Sequence, residues 1–264
     1  MRLGLGPIEL NDITSGDELT ALAREAAASS FDAVWVAESR ADGVGGAIAA
    51  AAMVGQVVPI RTGAVVDSGL YHPLYLAEDI AVADLTSTGR LEVLLRLPTA
   101  AASARYESVA ERAWFEEHLS ALAAALSGAH LQWNGAHLRI PGRLEANQPA
   151  PERLALNPRP AQPAVPIWVE NSAGWVADLA MKLGFGVAAR WNAGAAVPRA
   201  TGRWPGMLLC PGEVEAPELL SAAGTGAGYF LVAARTPATV KAAGRRLVGP
   251  LRMPEFPEWI NSGH

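Results

Sequence analysis

The stretch HPLYLAEDIAVADLTSTGRL, residues 72–91, and the run LEVLLRL that overlaps its end at 91–97 decide the fold class of this chain. Pro73 suits the first turn of a helix, where a missing N–H removes no intrahelical hydrogen bond. Leu76, Ile80 and Ala83 recur at i, i+4 and i+7, an apolar stripe of helical period, with Glu78 and Asp79 on the wetter side. Ser87-Thr88-Gly89 ends the helix, Gly89 being able to take the left-handed conformation of a C-terminal cap. Residues 91–97 follow as a short apolar run, the pattern of a strand covered on both faces. Helix, cap and buried strand make one module of a parallel α/β protein.

The alternation extends both ways. Residues 2–6 read as a first strand, and Ser15-Gly16-Asp17-Glu18 as a capping box that opens the first helix. FDAVWVAE, residues 31–38, is a second buried strand ending in a carboxylate; 47–54 is an alanine-rich helix and 62–66 a third strand. Beyond the module, residues 105–127 form an amphipathic helix, and the proline-rich span 128–166 offers only a hairpin near 133–140. Strands at 166–169, 185–189, 207–210 and 228–233 complete the set, with helices at 174–183, 216–223 and 237–248. Eight strands alternating with helices, without a break in composition, predict one domain over 1–264, a closed (β/α)8 TIM barrel of the α/β class. The other candidate, an open doubly wound sheet, needs a glycine fingerprint directly after its first strand. Here Glu9 stands where the third glycine should follow Gly4 and Gly6. Residues 190–204 leave little room for a helix, so the sixth crossover reads as shortened.

Composition narrows the function. The chain has 264 residues, half of them hydrophobic, and a net charge of −5, without the basic stripe of a nucleic-acid binder. A single cysteine, Cys210, excludes an intramolecular disulfide and fits a reducing compartment. The N-terminus lacks a signal peptide's pattern, and the longest apolar run, 47–54, is far short of the ~20 residues that span a bilayer. The expectation is a cytoplasmic protein with a small-molecule partner, no nucleic acid and no membrane.

In a barrel the site lies at the C-terminal strand ends. Those positions hold Glu9, Asn11, Glu38, Asp67, Ser68, His72, Arg96, Glu170, Arg190, Cys210 and Arg235, with Trp175, Trp191 and Trp204 as bordering aromatics. Glu38 and Asp67 can serve acid/base chemistry if an apolar surround raises one pKa, or can hold loop amides. His72 can donate to a ligand or cap the helix that follows it. The five histidines are scattered, without a His-Glu-x-x-His pair, so no metal site is expected. Asn171-Ser172-Ala173-Gly174 feeds a helix N-terminus whose free N–H groups suit a phosphate, or is an ordinary helix cap.

Three segments together, FDAVWVAE, HPLYLAEDIAVADLTSTGRLEV and NPRPAQPAVPIWVENSA, resemble the bacterial luciferase-like flavin-dependent oxidoreductases. Asp84-x-x-Ser87-x-Gly89-Arg90 and Pro158-x-Pro160-x-Gln162 carry the likeness most specifically. The resemblance implies a TIM barrel, commonly a homodimer, that binds FMN or the deazaflavin F420 and performs monooxygenation or hydride transfer on a small organic substrate. It implies that Asn171, Ser172, Ala173 and Gly174 touch the cofactor phosphate with Arg190 as counter-charge. Asp67, Ser68 and His72 would surround the ring, and Glu38 would transfer protons. The chain departs from the family pattern at Ser39, usually a histidine, at Arg96 and Pro98, usually a glycine-rich turn, and at Glu170, in a turn usually richer in glycine. These departures motivate the alternative of a catalytically silent barrel that carries a flavin or serves as a partner subunit. For a dimer, the alanine-rich face at 47–52 would permit close helix packing.

Overall fold

The computed structural model describes residues 1–38, 46–97, 111–128, 131–140, 155–171, 174–191 and 204–252. Eight parallel strands close into a barrel: β1 Arg2–Glu9, β2 Ala33–Ala37, β3 Arg61–Asp67, β4 Leu91–Arg96, β5 Ile167–Glu170, β6 Gly186–Arg190, β7 Gly206–Cys210 and β8 Ala227–Val232. Each pairs with its sequence neighbour, and β1 closes the ring against β8. The helices are α1 Gly16–Ala28, α2 Ala47–Val57, α3 Pro73–Thr86, α4 Glu111–Leu126, α5 Gly174–Lys182, α6 Ala216–Gly224, α7 Pro237–Ala243 and α8 Gly249–Arg252. A π turn, Gly244–Val248, joins the last two. The hairpin Trp133–Asn134/Arg139–Ile140 lies where expected. The shortened sixth crossover falls on 192–203, outside the described residues, as do Ser39, Pro98, Ser172 and Ala173.

The opening module folds as read. His72 caps α3, Pro73 occupies its first turn, and Gly89 takes φ 75° at the exit. Leu76, Ile80 and Ala83 are buried, and β4 is buried along its whole length. The two most family-specific motifs meet here. Asp84 Oδ1 accepts from Leu91 N at 3.3 Å and Gln162 Nε2 at 2.7 Å, and Oδ2 accepts from Gln162 N at 2.8 Å. Gln162 Nε2 also donates to the Leu91 carbonyl, and its Oε1 accepts from Arg61. This clamp joins the helix exit to the start of β4 at the N-terminal face, which in barrels serves stability.

Three details differ from the sequence reading. β1 runs past Gly6-Pro7 to Glu9, its register with β2 shifting between Leu5 and Ile8, so the proline sits in an irregularity where a ladder N–H is not needed. The box at α1 is half formed: Ser15 caps Glu18 N, but the Glu18 carboxylate reaches past Ser15 to Thr14 N and Oγ1. Most of the alanine face of α2 points inward, with Ala47, Ala51 and Ala52 at 0–6% exposure, leaving Ala49 exposed and Ala50 half-buried.

The barrel interior is a packed core. Trp35, Trp168 and Tyr229 meet edge to face, with centroids 5.5–6.0 Å apart. Each tryptophan lies beside a glycine in register: Trp35 with Gly63, Trp168 with Gly186. Below them, buried Glu92 gathers Arg2, Arg61 and the Tyr229 hydroxyl. Burial beside that carboxylate pushes the Tyr229 phenol well up, so it donates as a neutral hydroxyl.

Candidate active site at the barrel mouth

Strand side chains alternate between faces. Counting two residues on from the inward-facing Val65, Leu94, Trp168 and Ala188 reaches Asp67, Arg96, Glu170 and Arg190. Four adjacent strands therefore end in a layer of alternating charge. Arg96, only 4% exposed, places Nη2 3.4 Å from Glu9 and Nε 3.6 Å from Glu170. Arg190 Nε donates to the other Glu170 oxygen at 2.8 Å. Arg96 and Asp67 are register partners. The bulk expected at Arg96 is present, and two carboxylates compensate its charge, as a buried ion requires.

Next to this layer opens a cleft of about 740 Å³, lined by Glu9, Arg96, Arg190, Trp191, Cys210 and Arg235 among others. Small-molecule sites run from roughly 300 to 1,000 Å³. Arg190 and Arg235 are exposed at 64% and 74%. Of the three expected aromatics, Trp191 borders the cleft. Trp204 packs on Trp168, just ahead of β7, and Trp175 on Phe115 of α4, and neither lines this cleft. Cys210 is buried, and burial pushes its thiol up to about 12, which makes it an inert wall.

The remaining candidates gather on the β2–β5 side. Glu38, 1% exposed, accepts from Tyr71 Oη, from Asp67 N at 2.9 Å and from Gly46 N at 3.3 Å. Burial raises its pKa despite these bonds. Burial, aided by the same contact, raises the pKa of Tyr71. Asp67 Oδ1 caps Gly69 N, and Ser68 Oγ donates to the Arg96 carbonyl at 2.9 Å. His72 Nδ1 accepts from Leu74 N at 3.3 Å, so the neutral ring keeps its proton on Nε2. Burial lowers its pKa. Asn171 N donates to the Ala188 carbonyl at 2.7 Å, while its Oδ1 is buried with no hydrogen-bond partner. Glu38, Asp67, Ser68, His72 and Asn171 do not line the cleft beside Arg190, so the expected residues divide between two sides of one mouth.

His118 escaped the sequence reading, because a histidine inside an amphipathic helix carries no motif. It is 2% exposed on α4, its ring 4.7 Å from that of Trp114 and its Nε2 without a partner. Burial, aided by the charge of His72, pushes its pKa down to about 3. The folded state thus keeps the neutral ring while the unfolded chain takes up a proton below about 6.5. Stability from this group is complete above that pH and is lost as pH falls toward 3. One proton costs about 1.4 kcal/mol per pH unit, so about 2 kcal/mol should be gone at pH 5. Urea unfolding at pH 7 and 5 measures it, and His118→Leu should remove most of the difference.

The cleft lies at the C-terminal face of a closed parallel barrel, the face on which TIM-barrel enzymes carry their sites. The family model described as luciferase-like monooxygenase matches residues 5–202, and the chain belongs to that family. No curated protein matches it. Among solved structures it is similar to the coenzyme F420-dependent tetrahydromethanopterin reductase of Methanopyrus kandleri, at 11% identity and a TM-score of 0.71, over 95% of this chain and 99% of that one. It is also similar to the monooxygenase RslO1 of Streptomyces bottropensis, at 16% identity and 0.70, over 95% and 98%. An F420-dependent secondary alcohol dehydrogenase in complex with an F420–acetone adduct matches at 13% and 0.70, over 94% and 98%. At these identities the likeness is one of fold. No helix among the described residues is long and apolar enough to cross a membrane.

Proposed function

We propose that the chain is a flavin-type oxidoreductase or monooxygenase that takes FMN or F420 and acts on a small organic substrate. One observation carries the reading: Asn171 Oδ1, at the top of β5, is buried and unsatisfied, and a buried acceptor without a donor costs about 1–3 kcal/mol. The hydroxylated side chain of a flavin offers the donors it lacks. On the neighbouring strand the exposed Arg190 guanidinium suits the cofactor's anionic end, and α5 presents its positive end at Gly174, three residues on from Asn171. The residues present therefore fit such a group. When bound, the cofactor would supply hydride transfer or oxygen activation, and the protein would position it and shield it from water.

In this reading Asp67 and Ser68 shape the wall beside the ring, Ser68 being fixed through the Arg96 carbonyl. His72 caps α3 and retains Nε2–H as a donor. Glu38 and Tyr71 form the proton-holding pair, the carboxyl titrating above its ordinary range because it is buried. The test is titration of the purified protein with FMN and F420, followed by absorbance and fluorescence. Binding at micromolar concentration is expected, weakened about tenfold in Arg190→Gln, which corresponds to one charged contact. Failure of both cofactors to bind would end the reading.

A second reading has its own observation: every oxygen of Glu38 is engaged by local donors, and Arg96 stands between two carboxylates. A mouth so satisfied suits a flavin carrier that performs no turnover. Consumption of reduced cofactor, with and without substrate, separates carrier from catalyst.

A homodimer is part of the proposal, on a different face from the alanines. Met53 and Val57 of α2 and Tyr75, Val82 and Leu85 of α3 are 43–64% exposed, an apolar surface on two adjacent helices. Light scattering should give twice the monomer mass, and Val82→Glu should restore the monomer.

A further inference from the structure

The far rim of the mouth cleft has a cation that the cofactor reading does not use. Arg235 follows β8, while Arg190 ends β6. With β7 between them, the two backbones stand about 10 Å apart across the sheet. Arg235 is 74% exposed, and its described ionic partner is Asp12, 39% exposed and 3.3 Å away. Exposed pairs of this kind hold each other weakly and exchange readily.

The Arg235 backbone is nonetheless fixed. Its N–H donates to Thr239 Oγ1, inside the capping box in which Thr236 and Thr239 satisfy each other's amides at the start of α7. Between the two arginines the cleft wall carries Trp191, Leu209, Cys210, Pro211 and Ala233, with Pro7 and the polar Asn11 on the β1 side. The charged groups are Arg96, Arg190 and Arg235 against Glu9, Asp12 and Glu170, three positive and three negative, so an anion at Arg235 must replace Asp12 one for one. A largely apolar slot with one exchangeable guanidinium on a fixed backbone matches a flat organic monoanion. A guanidinium meets a carboxylate through two parallel N–H···O bonds. A phosphate dianion would bring more charge than the single Asp12 carboxylate it replaces and would face Glu9 as well.

We propose that Arg235 is the anchor for a substrate carboxylate, and that the substrate of this site is a small, flat, largely apolar monocarboxylic acid. The carboxylate would displace Asp12 from Arg235, and the ring or conjugated body would lie along Trp191 and the prolines. The inference builds on the cofactor reading for the word substrate, but the carboxylate site itself stands without it.

The test uses benzoate as the anionic probe, benzamide as its neutral isostere and phenyl phosphate as the dianion. All three are titrated calorimetrically into the full chain, with and without saturating FMN. Benzoate should bind at least tenfold more tightly than benzamide and more tightly than phenyl phosphate. Arg235→Gln should weaken benzoate at least tenfold and leave benzamide unchanged. Asp12→Asn, which removes the competing carboxylate, should tighten benzoate about threefold, the opposite of what loss of a purely structural ion pair would do. Equal binding of benzoate and benzamide, an unchanged affinity in Arg235→Gln, or a preference for phenyl phosphate would overturn the proposal. Arg235→Gln should leave FMN and F420 affinities within twofold of the parent. A protein that binds flavin but not benzoate therefore sinks this inference alone, and one that binds benzoate but no flavin sinks the cofactor reading alone.

Discussion

Gly63→Ala is expected to destabilise the barrel by about 3 kcal/mol or more, at the upper end of what overpacking costs. A Cβ at this position would lie 1.9 Å from Trp35 Cδ2 and 2.3 Å from two further ring atoms. Strand β3 cannot retreat, because Gly63 sits in the middle of its ladders to β2 and β4. The indole cannot swing away either. Its Nε1 donates to Tyr229 Oη at 2.9 Å, and Trp168 and Tyr229 press its edges. The conflict is pairwise, so a double-mutant cycle should expose it. Trp35→Leu alone leaves a cavity and costs several kcal/mol, but Gly63→Ala added to it should cost less than about 1 kcal/mol. Denaturant midpoints for the four proteins decide the matter. A single Gly63→Ala variant as stable as the parent would mean that the tryptophan is not locked.

That glycine shows what was and was not legible in the chain. The barrel could be read because its signals are local: apolar stripes of helical period, short buried runs, Pro73 at a helix start and Gly89 at a helix end. The motif pair Asp84–Arg90 and Pro158–Gln162 identified the family, although the sequence did not reveal that the two parts touch. Glycines at 63 and 186 carry no turn signal. Their meaning depends on tryptophans brought alongside by strand register, which separates partners by 28 and 18 positions in the chain. The mouth had the same difficulty. Asp67, Arg96, Glu170 and Arg190 were named one by one as strand ends, and alternation from Val65, Leu94, Trp168 and Ala188 would have placed all four on one layer. The sign alternation around the ring, and the compensation of Arg96 by Glu9 and Glu170, required knowing which strands are neighbours. Glu38 was legible as a carboxylate at a strand end. Its engagement by Tyr71, Asp67 and Gly46 depends on loop geometry that no spacing rule supplies.

The other large effect is expected at the opposite face. Asp84→Ala should cost about 3–5 kcal/mol, because one buried carboxylate serves three donors and each buried donor left unsatisfied costs about 1–3 kcal/mol. The donors are Leu91 N, Gln162 N and Gln162 Nε2, and Asp84 itself is fully buried. Leu91 is sealed as well, so water cannot replace the carboxylate at its N–H, while the half-buried Gln162 recovers part of its bonding from solvent. Asp84→Asn keeps the shape and both bonds at Oδ1, but it turns an N–H donor toward Gln162 N in place of Oδ2, and should recover only part of the loss. Gln162→Ala should cost less than Asp84→Ala, because Leu91 N keeps its acceptor. Thermal unfolding of the three variants should rank them in that order, and a ranking led by Gln162→Ala would break the argument. A second readout separates stability from function. The clamp lies at the N-terminal end of β4, and the mouth lies at the C-terminal end beyond Arg96. In the folded fraction of each variant, FMN or F420 affinity should therefore stay within about twofold of the parent, below the roughly 0.4 kcal/mol such a change represents. A barrel can keep the residues that mark its family while its mouth evolves independently, because the two sets are held by different ends of the same strand.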